Sequence, residues 1–356
     1  MRRSTLLILA GVLTMVAEAC TPFFPVPPPP PPAPPAPIAA DQRCSDGTSI
    51  SSKVVALDVK YNPEVDGTSP PQSIGLSSYG SWIQKAFNLA TQDLRDRLCA
   101  LDKIYIAEAN TDHAVWGIRE KRNRTRHIGI SKELLDKIIG TWTSPYAQYE
   151  MEIVDNLLWR SENPEPDWLR HLTYKVVGDS PSIAVLAILA HEIGHTMWWH
   201  RGVMNLKCDG VFFANLTWDR INIPPGFHHF GDKQRNKSIE DFDIDDMANL
   251  LSAGSLNALI SNMHQVYEDG NWANLFSFVA PDEDFIETYK FQVLQDAGVS
   301  KIDLEFPGTS GAPDTINVLT NFASASSGSP LGKKKAWIAS WLQGACKDPN
   351  GNPAHP

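Results

Sequence analysis

The chain has 356 residues, with 41 acidic against 31 basic side chains, a net charge of −10 and 42% hydrophobic residues. That is enough apolar material for one large domain or two subdomains sharing a cleft, and the acidic balance argues against a nucleic-acid partner. Its five cysteines include no CxxC, so a cysteine-based zinc site has no support.

In chain order, residues 1–20 read as a secretory signal. Arg2 and Arg3 supply the positive start, Leu6 to Val16 an apolar run, and Ala17-Glu18-Ala19 a small-residue cleavage pattern. The run is too short to span a membrane. Cys20, directly after it, resembles the lipid-acceptor cysteine of bacterial lipoproteins. The expectation is a protein held in the bacterial cell envelope by a lipid on Cys20, with no other membrane contact; the alternative is cleavage after Ala19 and secretion. Residues 21–40 are mostly proline and alanine. They predict a polyproline II spacer able to hold a domain ~60 Å from a membrane. The folded domain is then 41–356. Setting Cys20 aside leaves Cys44, Cys99, Cys208 and Cys346, an even number that predicts two disulfides in an oxidising compartment, with all three pairings open.

Within the domain, Lys53 to Tyr61 alternates as a strand and Ser81 to Ala100 has helical spacing, with Ile83, Ala86, Phe87, Ala90, Leu94 and Leu98 on one stripe. Lys103 to Ala107 is a short strand. Ala114 to Arg119 and Arg126 to Ile130 predict a hairpin around the basic run 119–126, and Ser131 caps a helix reaching Gly140. Ser161 to Asp167 reads as loop. Ser180-Pro181 opens a helix whose residues Ile183 to Ala190 are almost all apolar, so it is buried on most sides. Val203 to Gly231 reads as loop, Ser238 to Ala253 and Asp282 to Ala297 as helices, and the tail from Cys346 as loose.

The central helix presents His191-Glu192-Ile193-Gly194-His195. Residues four apart share a helix face at about 6 Å, so His191 and His195 can meet one ion. Glu192, displaced by roughly 100°, projects beside that ion rather than toward it. A carboxylate there suits a general base acting on a water that the metal has acidified to a pKa of about 7. Gly194 leaves room for a strand or loop to pass close. A catalytic zinc needs a third protein ligand. Trp198 and Arg201 stand where the metzincin pattern places glycine and histidine, and His200 is one residue out of register, so that ligand lies elsewhere.

Downstream, Glu283 and Glu287 are four apart in Glu283-Asp284-Phe285-Ile286-Glu287. HExxH followed by this segment resembles the gluzincin metallopeptidases, and the string closely resembles the EDFxE motif of bacterial zinc-binding peptidases. The resemblance implies Zn2+ on His191, His195 and Glu283, Glu192 as catalytic base, and Glu287 orienting a ligand histidine. It implies an α+β zincin-like fold, with a small mixed sheet beside the active-site helix and a mainly helical C-terminal half. The expected function is endopeptidase cleavage of a protein or peptide outside the cytoplasm. A rival ligand helix is the acidic stretch 240–246, where Asp241 and Asp245 share a face. Phe276 and Phe278 occupy the region where relatives carry an oxyanion-stabilising tyrosine, leaving Tyr267, Tyr289, His228, His229 and His264 as substitutes. Two other classes stay open: an envelope binding or assembly lipoprotein with a structural zinc, and a hydrolase of non-peptide amides in the cell wall.

Overall fold

The computed structural model describes residues 44, 50–57, 73, 75–107, 115–117, 127–140, 144–150, 173–200, 203–221, 229–232, 237–238, 256–268, 270–274, 276–278, 281–306 and 314–354. They belong to one compact unit, Ala36–Pro356, of α+β class with a small mixed sheet. The expected signal segment, the spacer, the loop at 161–167 and the acidic stretch 240–246 lie outside the described residues.

The mixed sheet has five strands: β1 (Val54–Leu57), β2 (Gly75–Leu76), β3 (Lys103–Ala107), β4 (Val115–Gly117) and β5 (His127–Ser131), in the order β2-β1-β3-β5-β4. The three inner strands are parallel, with Val54 opposite Ile104 and Ile104 opposite Ile128; β2 and β4 are antiparallel edges. Parallel strands are buried on both faces and carry continuous apolar runs. Ile104, Ile106, Ile128 and Ile130 accordingly point into the main core, while Val55, Leu57 and Tyr105 form a smaller cluster. The expected hairpin is present as β4 paired with β5.

The helical stretch read as continuous from Ser81 to Ala100 is two helices, α1 (Gly80–Leu89) and α2 (Gln92–Cys99). Ala90 is extended (ψ 151°) and the Thr91 hydroxyl accepts from the amide of Leu94, starting a new helix. Arg95 donates to the carbonyls of Phe87 and Asn88, satisfying the end of α1. Both helices keep the same apolar stripe, which is why periodicity alone does not reveal the break.

Helix α3 (Lys132–Gly140) follows β5, and the central helix α4 (Pro181–His200) packs against α1 and β4. The Ser180 hydroxyl accepts from the amide of Ile183, completing the expected cap. Residues Ala184 to Ala190 have no exposed surface. Helix α5 (Leu256–Glu268) precedes α6 (Pro281–Asp296), which lies along α4, and α7 (Val318–Ser324) and α8 (Pro330–Leu342) pack behind α6.

The C-terminal half also contains small antiparallel sheets. β6 (Thr173–Val176), β12 (Ile302–Phe306) and β13 (Asp314–Ile316) form one, and β9 (Trp218–Ile221), β10 (His229–Asp232) and β11 (Lys237–Ser238) another. Ser238 is therefore a strand residue and not the start of a helix. β7 (Lys207–Cys208) and β8 (Val211–Phe212) form a hairpin whose turn residues Asp209 and Gly210 both have positive φ (50° and 79°), as the tightest hairpin turns require. Strands of two to five residues are too short for an alternating pattern to declare itself.

Disulfides join Cys44 to Cys99 and Cys208 to Cys346. The pairs fit an oxidising, extracytoplasmic compartment. The second bond corrects the expectation of a loose tail: Cys346 is fully buried, and Lys347 exchanges backbone hydrogen bonds with Lys207. Among the described residues no helix is long and apolar enough to cross a membrane.

Candidate metal centre

The site lies where α4 and α6 run together. His191 and His195 project from one face of α4, as helical geometry dictates, with 3.2 Å between their Nε2 atoms. Glu283, in the first turn of α6, places Oε2 3.8 Å from His191 Nε2 and Oε1 3.6 Å from His195 Nε2. Ligand atoms of the three residues lie within 4.8 Å of one another, and the group can hold a metal ion. Tertiary packing thus brings together the three residues picked out by motif. Asp241 and Asp245 lie outside the described residues.

Glu192 is 1% exposed. Its Oε1 is 3.9 Å from His191 Nε2, and its Oε2 is buried without a hydrogen-bond partner. Burial pushes its carboxyl well above the usual range. Glu283 is also raised, by burial first and then by the negative charges of Asp282, Glu287 and Glu192; its Oε2 too has no hydrogen-bond partner.

Behind His191 stands Glu287. His191 Nδ1 and Glu287 Oε1 are 2.6 Å apart, while Glu287 Oε2 receives Lys290 Nζ at 2.6 Å and the Asn274 side-chain amide. Burial alone would raise the Glu287 carboxyl, but the Lys290 ammonium and the His191 hydrogen bond outweigh it and bring the pKa down to about 2. Phe276 meets the His191 ring edge-on, with centroids 6.0 Å apart, so the aromatic at that position braces a histidine.

Three of the residues considered as substitutes for the oxyanion tyrosine are occupied elsewhere. Tyr289 donates to Asp93 on α2, Tyr267 lies 3.5 Å from the Tyr174 hydroxyl, and His264 sits between Glu268 and Asp314. His228 and the side chain of His229 lie outside the described residues. Trp198, Trp218 and Trp272 are all buried in the core.

Tyr149, Glu150 and Lys290 were not legible as site residues. The Tyr149 hydroxyl is fully buried without a hydrogen-bond partner, and the neighbouring carboxylates Glu287, Glu150, Glu192 and Glu283 add to the effect of burial in raising its pKa. Lys290, three residues after Glu287 on the same helix, carried a weak spacing signal; Tyr149 and Glu150 carried none.

The donor set suits a divalent cation on chemical grounds. Imidazole is a borderline donor and carboxylate a hard one, a mixture that transition-metal dications accept. Glu192, Glu287 and Glu150 are buried and Glu283 is partly so; within this acidic group Lys290 is paired with Glu287 and Glu150. Carboxylates in such surroundings are costly to ionise without a cation, and Glu192 and Glu283 each have an oxygen without a hydrogen-bond partner. Comparisons with protein-family models, with curated proteins and with solved structures found no match.

Proposed function

We propose that the chain is a zinc-dependent endopeptidase of zincin-like architecture, acting on a protein or peptide outside the cytoplasm. The observation that carries this reading is the convergence of His191, His195 and Glu283 beside a buried Glu192 whose Oε2 has no partner. A structural zinc site is closed by four protein ligands, whereas a catalytic one leaves a position open. The three-residue cluster among the described residues matches the second pattern, and a structural ion would leave Glu192 without a role.

His191, His195 and Glu283 would hold the zinc, which when bound acidifies water and polarises an amide carbonyl. Glu192 takes a proton from the attacking water at Oε2 and delivers it to the leaving amide nitrogen. Its burial strengthens it as a base. Glu287 holds the Nδ1 proton of His191, which keeps Nε2 available as the ligand atom. A peptide is favoured as substrate because β4 is the edge of the mixed sheet beside α4, and an edge strand offers backbone groups to an extended chain. A lipid on Cys20 and the spacer after it would hold the domain at the envelope surface.

Metal analysis after dialysis at neutral pH tests the reading, with about one zinc per chain expected in the wild type and loss in Glu283→Ala. Glu192→Gln should keep the zinc and lose cleavage of a denatured protein. Absence of zinc in the wild type would sink the scheme. Zinc without cleavage of protein, or cleavage of peptidoglycan instead, would favour the structural-lipoprotein or cell-wall alternatives.

A further inference from the structure

Lys290 is a lysine with no exposed surface, in the core behind the site. Its Nζ lies 2.6 Å from Glu287 Oε2 and 2.8 Å from Glu150 Oε1, and Glu150 Oε1 also accepts the Tyr146 hydroxyl at 2.6 Å. Three side chains beyond the ligands are thus joined into one buried chain that ends on Glu287, and Glu287 ends on His191.

We propose that Lys290, anchored by Glu150, is the positioning residue that orients His191 for metal binding; the inference rests on the metal-centre reading above. A carboxylate turns freely about its last torsion, and its two oxygens are chemically equivalent. Here both supporting donors, Lys290 and Asn274, fall on Oε2. That pins the group and leaves Oε1 aimed at His191 Nδ1. With Nδ1–H committed to Oε1, Nε2 is the nitrogen turned toward His195 and Glu283. Asn274 is itself held, since its Oδ1 accepts the Ser277 amide at 3.0 Å. Glu150 has the complementary task of holding Nζ in place from the far side, on a segment distant in sequence.

A buried ion triad is a weak source of net stability, because desolvation offsets most of the attraction. Orientation of the ligand shell is the contribution it makes well: removing such outer partners weakens metal binding by about 10–100-fold.

The test is zinc affinity of the purified full chain, by competition with a chromophoric chelator, for the wild type, Glu150→Gln, Lys290→Met/Glu150→Gln and Lys290→Gln/Glu150→Gln. Both double variants remove the cation and the far carboxylate together, so the net charge of the group is unchanged, and the second retains a buried donor for Glu287. The zinc dissociation constant should rise about 10–100-fold in the doubles and by less in Glu150→Gln, whose amide oxygen can still accept from Lys290 Nζ but holds it less firmly than the carboxylate does. Nitrogen NMR of the metal-free protein should show His191 protonated at Nδ1 in the wild type and a tautomer mixture in the doubles, a change that a purely structural role would not produce. Wild-type affinity and an unchanged tautomer in a folded double variant overturn the proposal. So does failure of both doubles to reach the native circular dichroism spectrum, which would assign the triad to holding the core. No zinc binding by the wild type would instead remove the metal-centre reading on which the proposal stands.

Discussion

Lys334 Nζ lies 2.7 Å from Asp284 Oδ2, and neither side chain has exposed surface. Asp284 directly follows the ligand residue Glu283, and it also accepts the Thr217 hydroxyl at 3.0 Å and the Trp218 indole at 3.1 Å. The first turn of α6 is therefore pinned through the residue next to Glu283, by Lys334 on α8 and by Thr217 and Trp218 at the start of β9.

Breaking that pair should unfold the protein more easily and disturb the site. Lys334→Met leaves a buried carboxylate without its cation, a loss of about 3–5 kcal/mol. Thr217→Ala removes one neutral donor to the same carboxylate and should cost about 1–3 kcal/mol. Urea denaturation with linear extrapolation checks both, and Lys334→Met should be the more damaging of the two.

Gly194 sets how closely α4 and α6 approach. A Cβ there would stand 3.0 Å from two side-chain carbons of Ile286 and 3.2 Å from its Cα, so the neighbour that needs the space is the ligand helix and not a strand or loop. Gly194→Ala should cost about 1–3 kcal/mol by overpacking. It should also weaken metal binding, because α6 must retreat and take Glu283 with it. Gly194→Ala with Ile286→Ala, which clears the side-chain carbons, should recover part of the metal affinity. No loss of affinity in the single variant would show that the helices have slack.

The Tyr149 hydroxyl is buried without a hydrogen-bond partner, an arrangement that costs about 1–3 kcal/mol of desolvation. Tyr149→Phe should therefore be as stable as wild type or more so in the metal-free protein, as read by thermal denaturation. A clear destabilisation would mean that the hydroxyl has a partner in solution.

Acid should weaken the fold through Glu287. Its folded pKa, about 2, is below the ordinary 4.5, so the stabilisation is complete above about 4.5, where the unfolded chain is also ionised. It is lost as pH falls from there toward about 2. Denaturation midpoints between pH 6 and pH 2 should fall less steeply across that window in Glu287→Gln than in wild type.

Local signals carried much of the reading. The Ser180 cap, the apolar run to Ala190 and the one-turn spacing of His191 and His195 are decided within a single helix, and the folded chain preserves them. Local patterning misled where one apolar stripe continued across the Ala90–Thr91 break. It misled again at the polar tail, where a disulfide to Cys208 supplies the order that composition does not.

By itself the sequence determined which residues could share a face and which side chains had metal-binding chemistry, because both follow from backbone geometry and side-chain type. Only the tertiary structure decided which partners meet: Cys44 with Cys99, Tyr289 with Asp93, and His191 with Glu287 across 96 residues. It also supplied Lys290 and Glu150 behind the site and Gly194 against Ile286 beside it. The physical reason is that a contact across many residues depends on how two buried surfaces fit, and periodicity within one segment holds no information about the surface it will meet.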